Sequence, residues 1–131
     1  FRIYFNMNEN SRRIEQIKVE NIVWIIYFFL IGLCLYANSL EKDYFLTGNL
    51  EKKESYRKIT IFIFVVAVII YLYFTYDNYE DYKSLGINDS IKKKRLTELS
   101  LFASSLVLIS GLIFLYISIV DTELEIELAF N

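Results

Sequence analysis

Residues 59–76 read ITIFIFVVAVIIYLYFTY, eighteen positions without a formal charge. Within them, residues 61–72 (IFIFVVAVIIYL) carry no polar face in any helical register. A helix in a small water-soluble bundle stays partly exposed and needs such a face. A bilayer core of about 30 Å instead asks for roughly 20 apolar residues of helix. The stretch therefore reads as a membrane span.

Two neighbours read the same way. Residues 21–40 contain no charge, with an apolar heart at 22–37 (IVWIIYFFLIGLCLYA). Residues 99–120 (LSLFASSLVLISGLIFLYISIV) are equally free of charge. The expected fold is an all-α membrane protein with three transmembrane helices, at about 22–40, 59–76 and 99–120. Its 131 residues form one integral membrane domain. The bulk composition agrees: 55% of residues are hydrophobic and 18% aromatic, and the charged 23% lie outside the three segments.

Lysine and arginine near the spans set orientation. Arg2, Arg12, Arg13 and Lys18 precede the first span; Lys83, Lys92, Lys93, Lys94 and Arg95 sit between the second and third. With three spans these nine share one side, against five in the first loop (Lys42, Lys52, Lys53, Arg57, Lys58) and none in the tail. The expectation is a multi-pass protein of the cell membrane with a cytoplasmic amino end and an external carboxyl end.

Helix signals outrun the spans. Asn49, after the Thr47 and Gly48 turn, is a natural N-cap, and no breaker follows before Gly86. The second helix is expected from about 50 to 85, roughly 54 Å at 1.5 Å per residue, which exceeds the bilayer core. Asn88, Asp89 and Ser90 offer caps for a third helix. Helices two and three should thus form a long antiparallel hairpin that protrudes from the membrane.

Residues 71–82 (YLYFTYDNYEDY) straddle the exit point. Tyr71, Tyr73, Tyr76, Tyr79 and Tyr82 fit an interfacial aromatic belt, since the ring is apolar and the hydroxyl wants a polar partner. Folding about Ile87 would bring Asp77, Glu80 and Asp81 to Lys92, Lys93, Lys94 and Arg95. Three readings follow: ion pairs across the hairpin, basic contact with anionic lipid headgroups, or a divalent-cation site on the three acids. The last lacks the ordered oxygen ligands of a calcium loop.

In the third span Ser100, Ser104, Gly111 and Ser118 form one stripe, with the last three spaced by seven. Small residues let helices approach closely in lipid, and a seven-residue period suits a left-handed crossing. The stripe is expected to pack within the chain, with Gly32 as its counterpart, or else to join a second copy.

The ends read less clearly. Residues 123–128 alternate charged and apolar, as a short strand would, and so does FRIYFN at the start. Three spans would put the two ends on opposite faces, so each is expected to be a frayed terminus rather than half of a strand pair. A chain starting at Met7 would have a plausible amino terminus, so residues 1–6 are expected to be an extension. The first span is too long in its apolar heart for a cleavable signal, and Leu33 before Cys34 does not suit a lipoprotein signal. Cys34 reads as an apolar filler.

Catalytic, cofactor and metal residues are not expected. The chain has no histidine, no glycine-rich phosphate loop, and no Asp, Glu, Lys or Arg inside the spans. No nucleic-acid partner is expected. The reading is a non-enzymatic membrane protein acting by association: an accessory or immunity-type protein whose partners are the lipid bilayer and a membrane protein or a second copy. An oligomeric, holin-like pore former or a small transporter subunit are the alternatives.

Overall fold

The computed structural model describes residues 2–127, with side-chain surroundings described for 10–127. Three helices account for nearly all of it: α1 (Arg2–Thr47), α2 (Leu50–Lys83) and α3 (Ile91–Val120). At 46, 34 and 30 residues they measure about 69, 51 and 45 Å at 1.5 Å per residue. Each contains a segment long and apolar enough to cross a membrane.

The turns follow from local chemistry. Gly48 adopts φ 71°, in the left-handed region that favours glycine, and its N–H reaches the Tyr44 carbonyl at 2.7 Å, closing α1. Asn49 then caps α2 by accepting from the Glu51 N–H at 2.9 Å. Ser90 caps α3 by accepting from the Lys93 N–H at 3.0 Å.

The far end of α2 differs from expectation. The helix stops at Lys83 rather than near 85, with Ser84 as C-cap, so Gly86 does not follow it directly. Gly86 instead donates its N–H to the Asp89 carboxylate at 2.7 Å, inside a turn that Asp89 organises.

α2 is the central helix. It packs on α3 along one side and on α1 along another, whereas α1 and α3 do not pack on each other among the described residues. The molecule is an open layer rather than a closed three-helix bundle. Contacts fix the register: Thr75 meets Ser104, Tyr71 meets Gly111 and Arg57 meets Ile119. Rising positions on α2 thus pair with falling positions on α3.

Burial follows a seven-residue step on both outer helices. Val23, Leu30 and Ala37 of α1 are buried, and Gln16 begins the same stripe half-buried. On α3 the buried positions are Gly111 and Ser118, with Ser104 half-buried one step earlier. A seven-residue step keeps one seam facing a partner helix at a shallow crossing angle.

The ends are neither strands nor, over the described residues, frayed. Residues 2–6 lie in α1 and residues 121–127 form turns, with no strand among the described residues; residue 128 lies outside them. The tail has a better partner than a strand could offer. Leu124, held at φ 55°, packs with Ile59 on the cluster of Ala37, Leu40 and Tyr56. A left-handed leucine costs roughly 1–2 kcal/mol, and burial of its side chain offsets that.

Candidate functional site

The 84–90 turn, the far end of α2 and the amino-terminal part of α1 enclose a cleft of about 550 Å³. Its basic lining comes from two helices: Arg12 and Arg13 on α1, Lys92 and Lys93 on α3. Asp81 is the single carboxylate in the lining. Leu85 and Leu96 add apolar wall.

The acids of 77–81 turn to α1 or to their own helix. Asp81 pairs with Arg12 at 2.6 Å. Asp77 accepts from the Gln16 amide at 3.1 and 3.3 Å. Glu80 pairs with Lys83 at 3.3 Å, one turn on. On the other side, Lys93 pairs with Asp89 at 3.2 Å. Arg12 and Gln16 are partners for Asp81 and Asp77 that the sequence did not point to. The reason is the reach of α1. It extends well beyond its apolar segment and brings Arg12 and Gln16 alongside α2. Among the described residues no group of three His, Cys, Asp or Glu is placed to hold a metal ion.

Asp89 sits low in its titration. The Gly86 N–H and then the Lys93 ammonium stabilise its charged form, which holds the carboxyl below its usual range.

The serine and glycine stripe faces α2. Ser104 does most of the polar work: its carbonyl accepts from the Thr75 hydroxyl at 3.2 Å and its hydroxyl oxygen accepts from the Asn78 amide. A Cβ on Gly111 would lie 2.9 and 3.0 Å from the Tyr71 ring and 3.4 Å from Val68. Ser118 is buried, with its hydroxyl returned to the Phe114 carbonyl at 2.9 Å. Ser100 is exposed at the rim of the basic cleft and accepts from the Ser104 hydroxyl at 2.7 Å through its carbonyl. Gly32 is no counterpart to this stripe: nothing lies within 4 Å of where its Cβ would be. Since α1 does not pack on α3, it cannot be.

The tyrosines divide. Tyr73, Tyr76, Tyr79 and Tyr82 are exposed, and the Lys83 ammonium lies 5.1 Å from the Tyr79 ring centre. Tyr71 is half-buried against Gly111 and belongs to helix packing instead.

A second polar cluster, at the opposite end, has no counterpart in the sequence reading. Lys53 is buried, pairs with Glu123 of the tail at 3.1 Å and lies 5.5 Å from the Tyr44 ring centre. Arg57 donates to the Ile119 carbonyl at 3.1 Å and to Glu54 at 3.3 Å, while its Nε is buried with no partner among the described residues. Asp121 accepts from the N–H groups of Glu125 and Ile126, both at 3.0 Å, and these bonds hold its carboxyl below the usual range. Glu41 is moved the other way. Burial pushes its carboxyl up, a hydrogen bond from Tyr56 opposes this, and Glu127 adds to the rise. The sequence signal for this cluster was faint: an alternating acidic tail and two basic residues four apart.

No protein-family model, curated protein or solved structure matches the chain.

Proposed function

We propose that the chain is a three-span integral membrane protein that works by association and catalyses nothing. One observation carries this reading. α3 buries only Gly111 and Ser118, while Phe102 (62% exposed), Ile109 (52%), Ile113 (54%) and Tyr116 (66%) cover its outer side. Trp24, Phe28 and Phe29 do the same for α1. Soluble monomers rarely expose contiguous apolar patches beyond a few hundred Å². Lipid satisfies such a surface, and so does a partner helix.

In this reading helices α2 and α3 form an antiparallel hairpin whose 84–90 turn stands outside the bilayer with the amino-terminal part of α1. The positive-residue balance puts that end in the cytoplasm. The open layer supports association over self-sufficiency, since α3 has one packed side and no second helix against it within the chain.

The pore alternative draws less support. A pore needs a polar stripe free to line a channel, but Ser104 is bonded to Asn78 of α2, and Ser118 is buried with its hydroxyl returned to the Phe114 carbonyl of its own helix.

A photoreactive amino acid at Phe102, irradiated in native membranes, tests the reading. A discrete adduct with a membrane protein or a second copy is expected. Lipid adducts alone at Phe102, Ile109 and Ile113 would remove the association role and leave only the membrane location.

A further inference from the structure

The basic cleft does not end at Ser100. Asp81 and Asn78 of α2 line it, and Tyr71 and Phe64 continue their side of the helix at spacings of seven. On α3, Ser100 lines it, and Val107 and Phe114 continue at the same spacing. These four lower residues, with Leu106 and Gly111, line a second, apolar groove of about 190 Å³. Six residues of helix separate Ser100, the cleft's lowest residue on α3, from Leu106 at the near end of the groove, about 9 Å at 1.5 Å per residue. A cationic head pocket and an apolar channel thus lie in sequence along one side of the α2 and α3 pair.

The charges in the head pocket are unevenly spent. Arg12 faces Asp81 and Lys93 faces Asp89. Arg13 and Lys92, one from α1 and one from α3, pair with no carboxylate among the described residues. The positive end of the α3 dipole, capped at Ser90, opens on the same space. A phosphate with a hydrocarbon tail matches this layout in charge, depth and order.

We propose that this site binds one anionic glycerophospholipid, its phosphate between Arg13 and Lys92 and an acyl chain in the groove beside Val107. The proposal rests on the membrane reading above and adds to it a specific lipid. Bound there, the lipid bridges α1 and α3, the two helices that do not pack on each other.

The test begins with alkaline carbonate extraction of membranes; release of the protein into the soluble fraction would end the membrane reading, and the lipid site with it. With the protein retained, it is purified in a neutral detergent. Thermal unfolding and native mass spectrometry are then read with dioleoylphosphatidylglycerol, dioleoylphosphatidylcholine or inorganic phosphate added. Phosphatidylglycerol should raise the midpoint and persist as a one-to-one adduct, with the other two well behind. Removing the two charges in Arg13→Gln/Lys92→Gln should weaken it by roughly fivefold per residue, while Lys42→Gln/Lys58→Gln at the other end changes nothing. Val107→Trp fills the groove with every charge intact and should also lose the adduct. Equal binding of phosphatidylcholine overturns the proposal. So does unaltered binding in the Arg13→Gln/Lys92→Gln or the Val107→Trp variant, or inorganic phosphate acting as strongly as the lipid, which would make this a free-phosphate site.

Discussion

Gly111 is where a single atom decides helix packing. Its missing Cβ leaves room for the Tyr71 ring, at 2.9 and 3.0 Å from the place a methyl would take. Gly111→Ala must displace that ring or separate α2 from α3. Overpacking of this kind costs about 1–3 kcal/mol. Gly32→Ala meets nothing within 4 Å and should be neutral or slightly stabilising, since glycine is a poorer helix former than alanine by up to ~1 kcal/mol. Thermal unfolding in detergent separates the two variants; equal effects would contradict the packing described. A charge at the rim matters less. Arg12 and Asp81 have side chains 42% and 40% exposed, and exposed pairs contribute about 0–1 kcal/mol. Asp81→Asn should therefore shift stability by no more than that, measured the same way.

The stripe of Ser104, Gly111 and Ser118 was legible in the sequence because small residues stand out against Leu, Ile and Phe. The stripe by which α1 packs was not. It is Val23, Leu30 and Ala37, and these look like every other apolar residue around them. Gly32 drew attention by its size alone, although it lies on a different side of α1.

At the level of elements, the tail is the piece that behaves unlike its pattern. Alternation in 123–128 describes a strand, but a strand needs a partner edge, and helices offer none. What the tail finds instead is a buried lysine and an arginine at the start of α2 and an apolar cluster shared by α1 and α2. Asp121 organises this turn through bonds from the N–H groups of Glu125 and Ile126. Its folded pKa is depressed, so its contribution is present above the unfolded value of about 3.9 and is lost as pH falls through the lower folded one. Amide exchange at Glu125 and Ile126 should lose protection in that acid window while α2 stays protected. Asp121→Ala should produce the same loss at neutral pH. Unchanged exchange in the variant would show that Lys53, Arg57 and Leu124 hold the tail without it.

For the whole molecule the decisive measurement is sidedness. Cysteines at Ser84 and Thr122, in a Cys34→Ser background, should react with an impermeant thiol reagent from opposite sides of the membrane. Reaction of both from one side would refute three spans. The structure adds a geometric reason for the expected result. The 84–90 turn lies with residues 12–16 of α1, and the tail lies with the α1 to α2 turn at the other end, through Lys53 and Glu123.

The sequence by itself determined the three apolar helices and the N-caps of α2 and α3. Runs of uncharged residues, an Asn and a Ser before each run of helix, and a glycine between them are local signals, read from neighbours within a few positions. Tertiary structure alone decided that α2 is central, that Arg12 and Gln16 of α1 reach Asp81 and Asp77, and that the tail docks. Those outcomes depend on which side of a uniformly apolar helix meets another. Where every side is apolar, hydropathy carries no direction, and the choice falls to shape and to the few polar groups that find one another at the ends.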